Sequence, residues 1–135
     1  MSNNLFEPGP ERYYNPETVQ FWSGLNSQSL QLQKCESCNK FQHYPRLICS
    51  HCWGIDLIFE NVSGIGVVET FTDVFVSSHL RFKSMIPYRV LVVRLAEGPT
   101  VISRQFDGCT LQIGDKVTAI FSDDGRGNLL LFSAL

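Results

Sequence analysis

With 135 residues, of which 44% are hydrophobic, the chain is long enough to fold as one packed domain or two very small ones. Its net charge of −2 lacks the basic surplus that nucleic-acid-binding modules normally carry, so the composition argues against a nucleic-acid partner. No apolar run approaches the length of a transmembrane helix and the first residues do not resemble a signal peptide, so we expect a cytoplasmic protein without a membrane partner.

Residues 1–28 are predicted to form an N-terminal arm followed by one short helix. Residues 15–17 read Asn-Pro-Glu, which is typical of a helix start, and the helix is expected to end at Gly24 or Asn26. Its apolar face could either pack against the rest of the chain or dock onto a partner protein. The side chains that would serve either role are Phe21, Trp22 and Leu25.

Two Cys-x-x-Cys pairs dominate residues 29–56. A tight turn aims both sulfurs of each pair the same way, and two such turns can enclose one metal ion in a tetrahedral site with Zn–S distances of about 2.3 Å. Residues 29–34 and 41–48 are predicted to be the two strands of the ribbon hairpin. Four thiolates leave no position for water or substrate, so we expect structural zinc. The predicted ligands are Cys35, Cys38, Cys49 and Cys52.

Two other interpretations of these cysteines compete with zinc. Iron, as in a rubredoxin-like electron carrier, accepts the same four thiolates. Disulfides are disfavoured because no signal peptide is seen and Cys109 would be left over. His43 and His51 are expected at the surface or around the site, since four cysteines already complete the shell. Trp53 is predicted to cover the sulfurs or to pack where ribbon and barrel meet, and it is also a candidate for the partner interface.

Residues 57–135 are predicted to be β-structure throughout. Runs rich in valine, threonine and phenylalanine alternate with short turns. Five or six strands within about eighty residues are typical of a small closed Greek-key barrel of the OB type. We therefore predict a mainly β fold with an N-terminal helix, a rubredoxin-like zinc ribbon and an OB-type barrel. The barrel strands are expected near residues 57–62, 67–78, 86–96, 100–106, 116–121 and 129–134.

The sequence contains no arrangement of residues that indicates catalysis by this chain alone. Cys109 is the only cysteine outside the two pairs and has no histidine near it in sequence. A lone cysteine in a β-rich domain is more often a small buried hydrophobe than a nucleophile. Paired carboxylates, a glycine-rich phosphate loop and Ser-His-Asp spacing do not stand out. We therefore predict no catalytic residues.

Several motifs are similar to those of the acyl-CoA-associated zinc-ribbon/OB-fold family, and the resemblance covers nearly all of the chain from about residue 17 onward. Besides the cysteine pairs, the matching motifs are Phe21-Trp22-x-Gly24-Leu25, Leu30-x-Leu32-Gln33, Tyr44-Pro45-Arg46, Ser63-Gly64-x-Gly66-x-Val68, Pro87-Tyr88-x-Val90, Cys109 and Ile113-Gly114-x-x-Val117. One member of this kind is the zinc-finger subunit of benzoylsuccinyl-CoA thiolase, which this chain resembles in showing no further domain.

The resemblance implies a role beside an enzyme. It implies a non-catalytic subunit that binds a thiolase-fold large subunit in a hetero-oligomer and contributes to an acyl-CoA site, with coenzyme A or its thioester as a shared ligand. The complex would perform thiolytic C–C cleavage or Claisen condensation of a β-ketoacyl-CoA. The alternatives are a nucleic-acid-binding ribbon/OB module and an iron electron carrier.

Residues 77–89 are the predicted contact with coenzyme A. The segment is too long and too mixed in polarity for a tight hairpin, and OB barrels place recognition on such loops. The cations expected to meet phosphates are Arg81, Lys83 and Arg89. Phe82, Met85 and Tyr88 are expected to line the pantetheine arm or the acyl group or to stack on the adenine base. Pro87 is included in the same acyl-CoA site as a position that matches the family motif. The alternative is a solvated loop or a docking surface for the partner protein.

Overall fold

The structure is a computed structural model that describes residues 16–78, 80–123 and 128–135; of Arg81 only the backbone is described. In chain order the elements are α1 (Val19–Asn26), β1 (Gln31–Cys35), β2 (Phe41–Gln42), β3 (Leu57–Asn61), β4 (Ile65–Val74), α2 (Leu80–Lys83), β5 (Tyr88–Leu95), β6 (Thr100–Gln105), β7 (Lys116–Asp123) and β8 (Asn128–Ala134). The predicted mainly β class is confirmed. Among the described residues, no helix has the length and apolar character needed to cross a bilayer.

The ribbon is a three-stranded antiparallel sheet in the order β2-β1-β3. β3 pairs with β1 over its whole length, from Cys35 opposite Leu57 to Gln31 opposite Asn61. The strand predicted at residues 57–62 therefore belongs to the ribbon sheet and not to the barrel. Alternating polarity is the same for a ribbon strand and a barrel strand, so the pattern alone does not assign it. How far the three predicted segments behave as separate domains stays a prediction.

The second hairpin strand is much shorter than predicted, because β2 ends at Gln42 and residues 43–50 form an irregular loop. Two buried glutamines hold this loop in place of a ladder. The Gln33 side chain accepts the N–H of Arg46 at 2.8 Å and donates to its carbonyl at 2.7 Å. The Gln42 side chain donates to Gln33 and accepts the N–H of Ser50 at 2.8 Å. Side-chain amides thus satisfy backbone groups that a strand would otherwise pair.

The remaining strands close into a five-stranded barrel in the order β4-β5-β6-β8-β7, with β7 pairing back onto β4. β6 and β8 run parallel, and the other neighbouring pairs run antiparallel. This topology is that of the predicted OB-type barrel. The barrel closes where β4 pairs with both β5 and β7: Gly66 of β4 lies opposite Leu95 on one side and Val117 on the other. A Cβ atom at Gly66 would lie 2.6 Å from the carbonyl oxygen of Arg94, so this close approach of strands requires glycine.

Helix, ribbon and barrel share one hydrophobic core, which joins Leu25 of α1 and Leu32 of β1 to barrel residues such as Phe132. The helix begins at Val19, later than predicted, and ends at Asn26 as predicted. Its C-terminal end is fastened to β8, because Asn128 Nδ2 donates to the carbonyl of Leu25 at 2.8 Å. The helix is therefore a structural connection between ribbon and barrel.

Candidate metal centre and ligand cavities

The four predicted cysteine ligands converge on one point. Their sulfur atoms all lie within 4.8 Å of one another. Cys35 Sγ lies 3.5 Å from Cys52 Sγ, and Cys38 Sγ lies 3.7 Å from Cys49 Sγ. A tetrahedral ion with metal–sulfur bonds of about 2.3 Å places its sulfurs ~3.8 Å apart. The four cysteines are thus positioned for a zinc ribbon, and they would hold the ion from all four corners.

Each Cys-x-x-Cys pair lies on a turn of the same construction. The N–H of Asn39 donates to the carbonyl of Cys35 at 2.8 Å, and the N–H of Trp53 donates to that of Cys49 at 3.0 Å. Asn39 and Trp53 close the two turns in left-handed conformations, with φ of 61° and 68°. Backbone amides then point at sulfur, as in the 3.3 Å contact from the N–H of His51 to Cys49 Sγ.

Electrostatics in the cluster favour a bound cation. The N–H of Cys52, foremost among several causes, lowers the pKa of the Cys49 thiol to about 6, and the N–H of Cys38 chiefly lowers the pKa of Cys35. The pKa of Cys52 goes the other way, to about 12: the N–H of Gly54 lowers it, but the neighbouring thiols and burial raise it further. Four thiolates this close repel one another, so full deprotonation requires a positive ion among them.

The position of Trp53 differs from the prediction that it covers the sulfurs or packs at the ribbon–barrel junction. Its side chain is 80% exposed, because the residue occupies the left-handed position that ends the second turn. Other large apolar side chains on the ligand-bearing loops are exposed too, including Leu47 at 71% and Ile55 at 76%. We call Leu47, Ile48, Trp53 and Ile55 the ribbon patch.

The helix residues assigned to a partner interface turn inward. Phe21 and Leu25 belong to the shared core, and Leu25 is only 1% exposed. Trp22 is partly buried and meets Phe21 edge to face, with 5.2 Å between ring centroids. Burial therefore gives Phe21 and Leu25 a packing role within this chain. An interface role stays open for Trp53, which the structure leaves exposed.

Two concave regions adjoin where α1, α2 and the barrel meet. The first, which we call the polar cavity, has a volume of about 460 Å³ and lies between the α2–β5 segment and the residues that follow β6. The second, which we call the apolar groove, has a volume of about 330 Å³ and runs between α1, the ribbon loop, α2 and strands β5, β6 and β8. Tyr88 and Arg104 stand in the walls of both.

The structure brings most of the predicted coenzyme A contacts to these two regions. Met85, Pro87 and Arg89 line the polar cavity, Phe82 lines the apolar groove, and Tyr88 lines both. Lys83 is exposed and lines neither, and the side chain of Arg81 lies outside the described residues. Binding of coenzyme A at these residues stays a prediction.

The guanidinium of Arg89 is already paired with groups of the same chain. Its Nε and Nη2 atoms pair with both carboxylate oxygens of Asp73 at 2.7 and 3.0 Å, and Nη1 donates to the carbonyl of Leu111 at 2.7 Å. The guanidinium also lies 3.9 Å from the centroid of the Phe71 ring. The hydrogen bonds from Arg89 lower the pKa of Asp73. An arginine held in this way supports the cavity wall, and few of its donors remain for a phosphate.

Arg104 and His43 are among the cavity residues that were not predicted from the sequence. Arg104, on β6, lines both regions, and its Nη1 makes one long 3.4 Å contact with the exposed carboxylate of Asp107. His43 was expected at the surface or around the metal, but it lines the apolar groove between the rings of Phe21 and Tyr44. Both residues are far in sequence from residues 77–89, so no local pattern points to them.

The fold and the cysteine cluster define a zinc-ribbon/OB-fold protein. Residues 22–57 match the family model described as the ChsH2 rubredoxin-like zinc ribbon domain, and residues 60–122 match that of the ChsH2 C-terminal OB-fold domain. A DUF35 domain-containing scaffold protein of Methanothermobacter thermautotrophicus is 30% identical over 109 residues, which cover 78% of this chain and 81% of the relative. The chain therefore belongs to the DUF35 family of ChsH2-type zinc-ribbon/OB-fold proteins.

Two solved structures share the fold. One is described as an Ltp2–ChsH2(DUF35) aldolase; its matching chain has a TM-score of 0.83 and 22% identity, with 92% of this chain and 98% of that chain covered. The other is a DUF35-family protein of unknown function from Sulfolobus solfataricus, with a TM-score of 0.62, 17% identity, and 91% and 88% coverage. At these identities the likeness shows the fold alone.

Proposed function

We propose that this chain is the non-catalytic subunit of a thiolase-type acyl-CoA enzyme. The chain holds the enzyme complex together and helps to form its acyl-CoA site. The observation that carries the proposal is the chain's 30% identity to a relative described as a scaffold protein. A metal closed off by four sulfurs agrees with that role, because it stabilises a surface and leaves no coordination position for a substrate.

The cavity walls support an accessory role. In the described part of the chain, neither cavity has a cysteine in its wall, and His43 is the only histidine there. Cys109 is partly buried and packs against the core, as expected for a small hydrophobe. A thiolase-type reaction needs a thiolate nucleophile and a base beside it, so the proposal assigns these groups to the large subunit.

The two adjoining regions suit the two halves of a coenzyme A thioester. The apolar groove offers aromatic and leucine side chains to an acyl group, and the polar cavity offers Arg104 and the backbone near Gly108 to polar parts of the coenzyme. Arg104 replaces Arg89 in this proposal as the cation that meets a phosphate, because Arg89 is occupied by Asp73. Lys83 stands exposed on α2 and would reach the ligand only from outside.

The ribbon patch is the proposed contact with the large subunit. Its four apolar side chains are exposed and flank Cys49 and Cys52, which the cluster brings together. Exposed apolar side chains that group together mark interaction surfaces, and tryptophan is over-represented among the residues that dominate binding energy. Trp53 is the strongest candidate within the patch because it combines ring size with 80% exposure.

Co-purification with an identified enzyme tests the proposal. The full chain, tagged and expressed in its source cells, should retain a thiolase-fold polypeptide that mass spectrometry identifies. The purified complex should cleave a 3-oxoacyl-CoA in the presence of coenzyme A, whereas the chain alone should not. Turnover by the isolated chain, or recovery without any thiolase-fold polypeptide, would overturn the proposal.

A pair of variants tests the interface. Trp53→Ala should weaken the complex by about 2 kcal/mol, or roughly thirtyfold in Kd, if Trp53 dominates the contact. Ile113→Ala is the matched control, because Ile113 is also exposed and apolar but lies on the turn before β7. Equal affinity of the two variants for the large subunit would remove Trp53 from the interface while leaving the complex itself intact.

A further inference from the structure

The apolar groove contains a polar group whose hydrogen-bonding capacity is unused. His43 lines the groove, and its ring makes no hydrogen bond to the described residues; Nδ1 is closed off from solvent, so Nε2 is the nitrogen that a ligand in the groove can reach. Ser103 in the same wall differs, because its hydroxyl already donates to the carbonyl of Leu130. A polar group in an otherwise apolar wall orients a bound ligand, so the unpartnered nitrogen of His43 is the candidate contact.

The surroundings of His43 determine its charge. Its ring lies 4.9 Å from that of Phe21 and 3.9 Å from that of Tyr44, between centroids. Burial among these groups lowers the pKa of His43 to about 4, so the imidazole is neutral at pH 7. A neutral imidazole has one N–H donor and one acceptor nitrogen, and it can bond a neutral ligand group without placing a charge in the groove.

The remainder of the groove wall limits the ligand to an apolar body with few polar atoms. Phe82, Tyr88 and three consecutive leucines of β8, residues 129–131, line the same groove as His43. A phosphate or a carboxylate would lose its hydration there without a cation at hand, apart from Arg104 at the boundary with the polar cavity. A hydrocarbon chain that carries one carbonyl oxygen satisfies both the apolar wall and the single donor.

We infer that the apolar groove takes the acyl chain of a 3-oxoacyl-CoA and that the His43 imidazole donates a hydrogen bond to the 3-oxo oxygen. This assignment rests on the proposed function and adds to its ligand site the contact that recognises the ketone. His43 is then a specificity-determining residue. A ketone gains the bond, whereas a saturated chain of the same length leaves the nitrogen unpaired. The coenzyme extends past Tyr88 and Arg104 into the polar cavity.

The test compares two ligands that differ only in the ketone. The full zinc-loaded chain is titrated by calorimetry with 3-oxooctanoyl-CoA and with octanoyl-CoA. One net hydrogen bond corresponds to roughly two- to tenfold in Kd, so we expect the ketone to bind about fivefold more tightly. In His43→Phe, which keeps an aromatic ring but removes both nitrogens, the two Kd values should become equal.

Two further variants separate recognition from structural damage. His43→Gln retains a donor and should preserve part of the preference. His51→Phe is the matched control, because His51 is exposed and does not line the groove, and it should keep the wild-type ratio. Thermal unfolding and zinc content establish whether each variant is folded. If His43→Phe is unfolded, the test is whether the ratio of the two Kd values in His43→Gln differs from that in wild type.

Three results would overturn the inference: equal affinity of the wild-type chain for the two thioesters, an unchanged ratio in a folded His43→Phe, or no binding of either thioester. Each leaves the accessory role standing if a thiolase-fold polypeptide co-purifies. Conversely, a ketone preference that depends on His43 would survive the failure to find such a partner. The two experiments therefore fail independently.

Discussion

Cys49→Ser is the substitution that most directly tests the metal centre. Cys49 Sγ lies 3.7 Å from Cys38 Sγ and accepts N–H groups of His51 and Cys52 at 3.3 and 3.5 Å. A serine hydroxyl does not ionise at neutral pH and cannot supply the thiolate that the ion requires. We expect bound zinc to fall from about one ion per chain to a small fraction of that.

The structure indicates how far the damage extends. Structural zinc supplies on the order of 10 kcal/mol to the folding of small metal-binding units, which is comparable to the 5–15 kcal/mol that stabilises a whole domain. Besides the metal, the ribbon is held by the β1–β3 pairing, by the glutamine contacts and by the part of the shared core that Leu32 contributes, whereas β2 spans only two residues. The barrel closes on itself around its own buried residues, Val93, Val117 and Phe132 among them. We expect the loss of the metal to outweigh the ribbon's other contacts, so the ribbon should unfold while the barrel persists.

Amide hydrogen exchange resolves the two parts in one experiment. In Cys49→Ser, protection should be lost in β1 and β3 and retained in β5 and β7, and metal analysis should show the loss of zinc. Cys109→Ser is the matched control, because Cys109 lies outside the cluster and should leave both zinc content and ribbon protection unchanged. Stoichiometric zinc in Cys49→Ser, with β1 still protected, would refute the four-thiolate site.

Two further predictions concern the barrel and the groove. Gly66→Ala places a Cβ atom 2.6 Å from the carbonyl oxygen of Arg94 and 2.7 Å from Val93 Cγ1, so it should destabilise by about 1–3 kcal/mol and lower the melting temperature by roughly 4 °C per kcal/mol. Gly66 does not have a positive φ, so the expected cost comes from crowding and not from backbone strain; a Gly66→Ala variant as stable as wild type would contradict it. Burial lowers the pKa of His43 from an ordinary 6.5 to about 4, so between these values the unfolded chain binds a proton that the folded chain does not. The contribution of His43 to the free energy of unfolding is therefore at its maximum above pH 6.5. This free energy falls by about 3 kcal/mol as the pH drops toward 4. Urea unfolding across this range should show the fall in wild type, and His43→Phe should lack it; parallel curves would contradict the buried, neutral histidine.

The features that the sequence predicts well are those recorded in local patterns. Cysteine spacing defines the metal ligands because geometry requires pairs on tight turns. Runs of β-branched residues with glycine-rich turns indicate strands, and the number and shortness of those strands indicate a closed barrel. The bounds of β5 and β6 lie within two residues of the expected ones, since turns flank both strands.

The features that escape prediction depend on contacts between distant segments. β3 belongs to the ribbon because it pairs with β1, and the alternating polarity of a strand does not indicate which strand it pairs with. Gln33 and Gln42 look like the solvent-facing positions of a hairpin, yet both are buried and organise the loop of residues 43–50. The inward orientation of Phe21 and Leu25 likewise depends on packing that α1 alone does not specify.

The metal centre and the apolar groove are joined by a single short segment. Residues 43–50 begin with His43 in the groove wall and lead to Cys49 in the cluster. Between them the loop has little regular backbone pairing, and the glutamines of β1 and β2 hold it instead. We expect an ion that fixes Cys49 to restrict this loop and with it His43. Zinc loading at the ribbon should then influence the proposed ligand groove without contacting it.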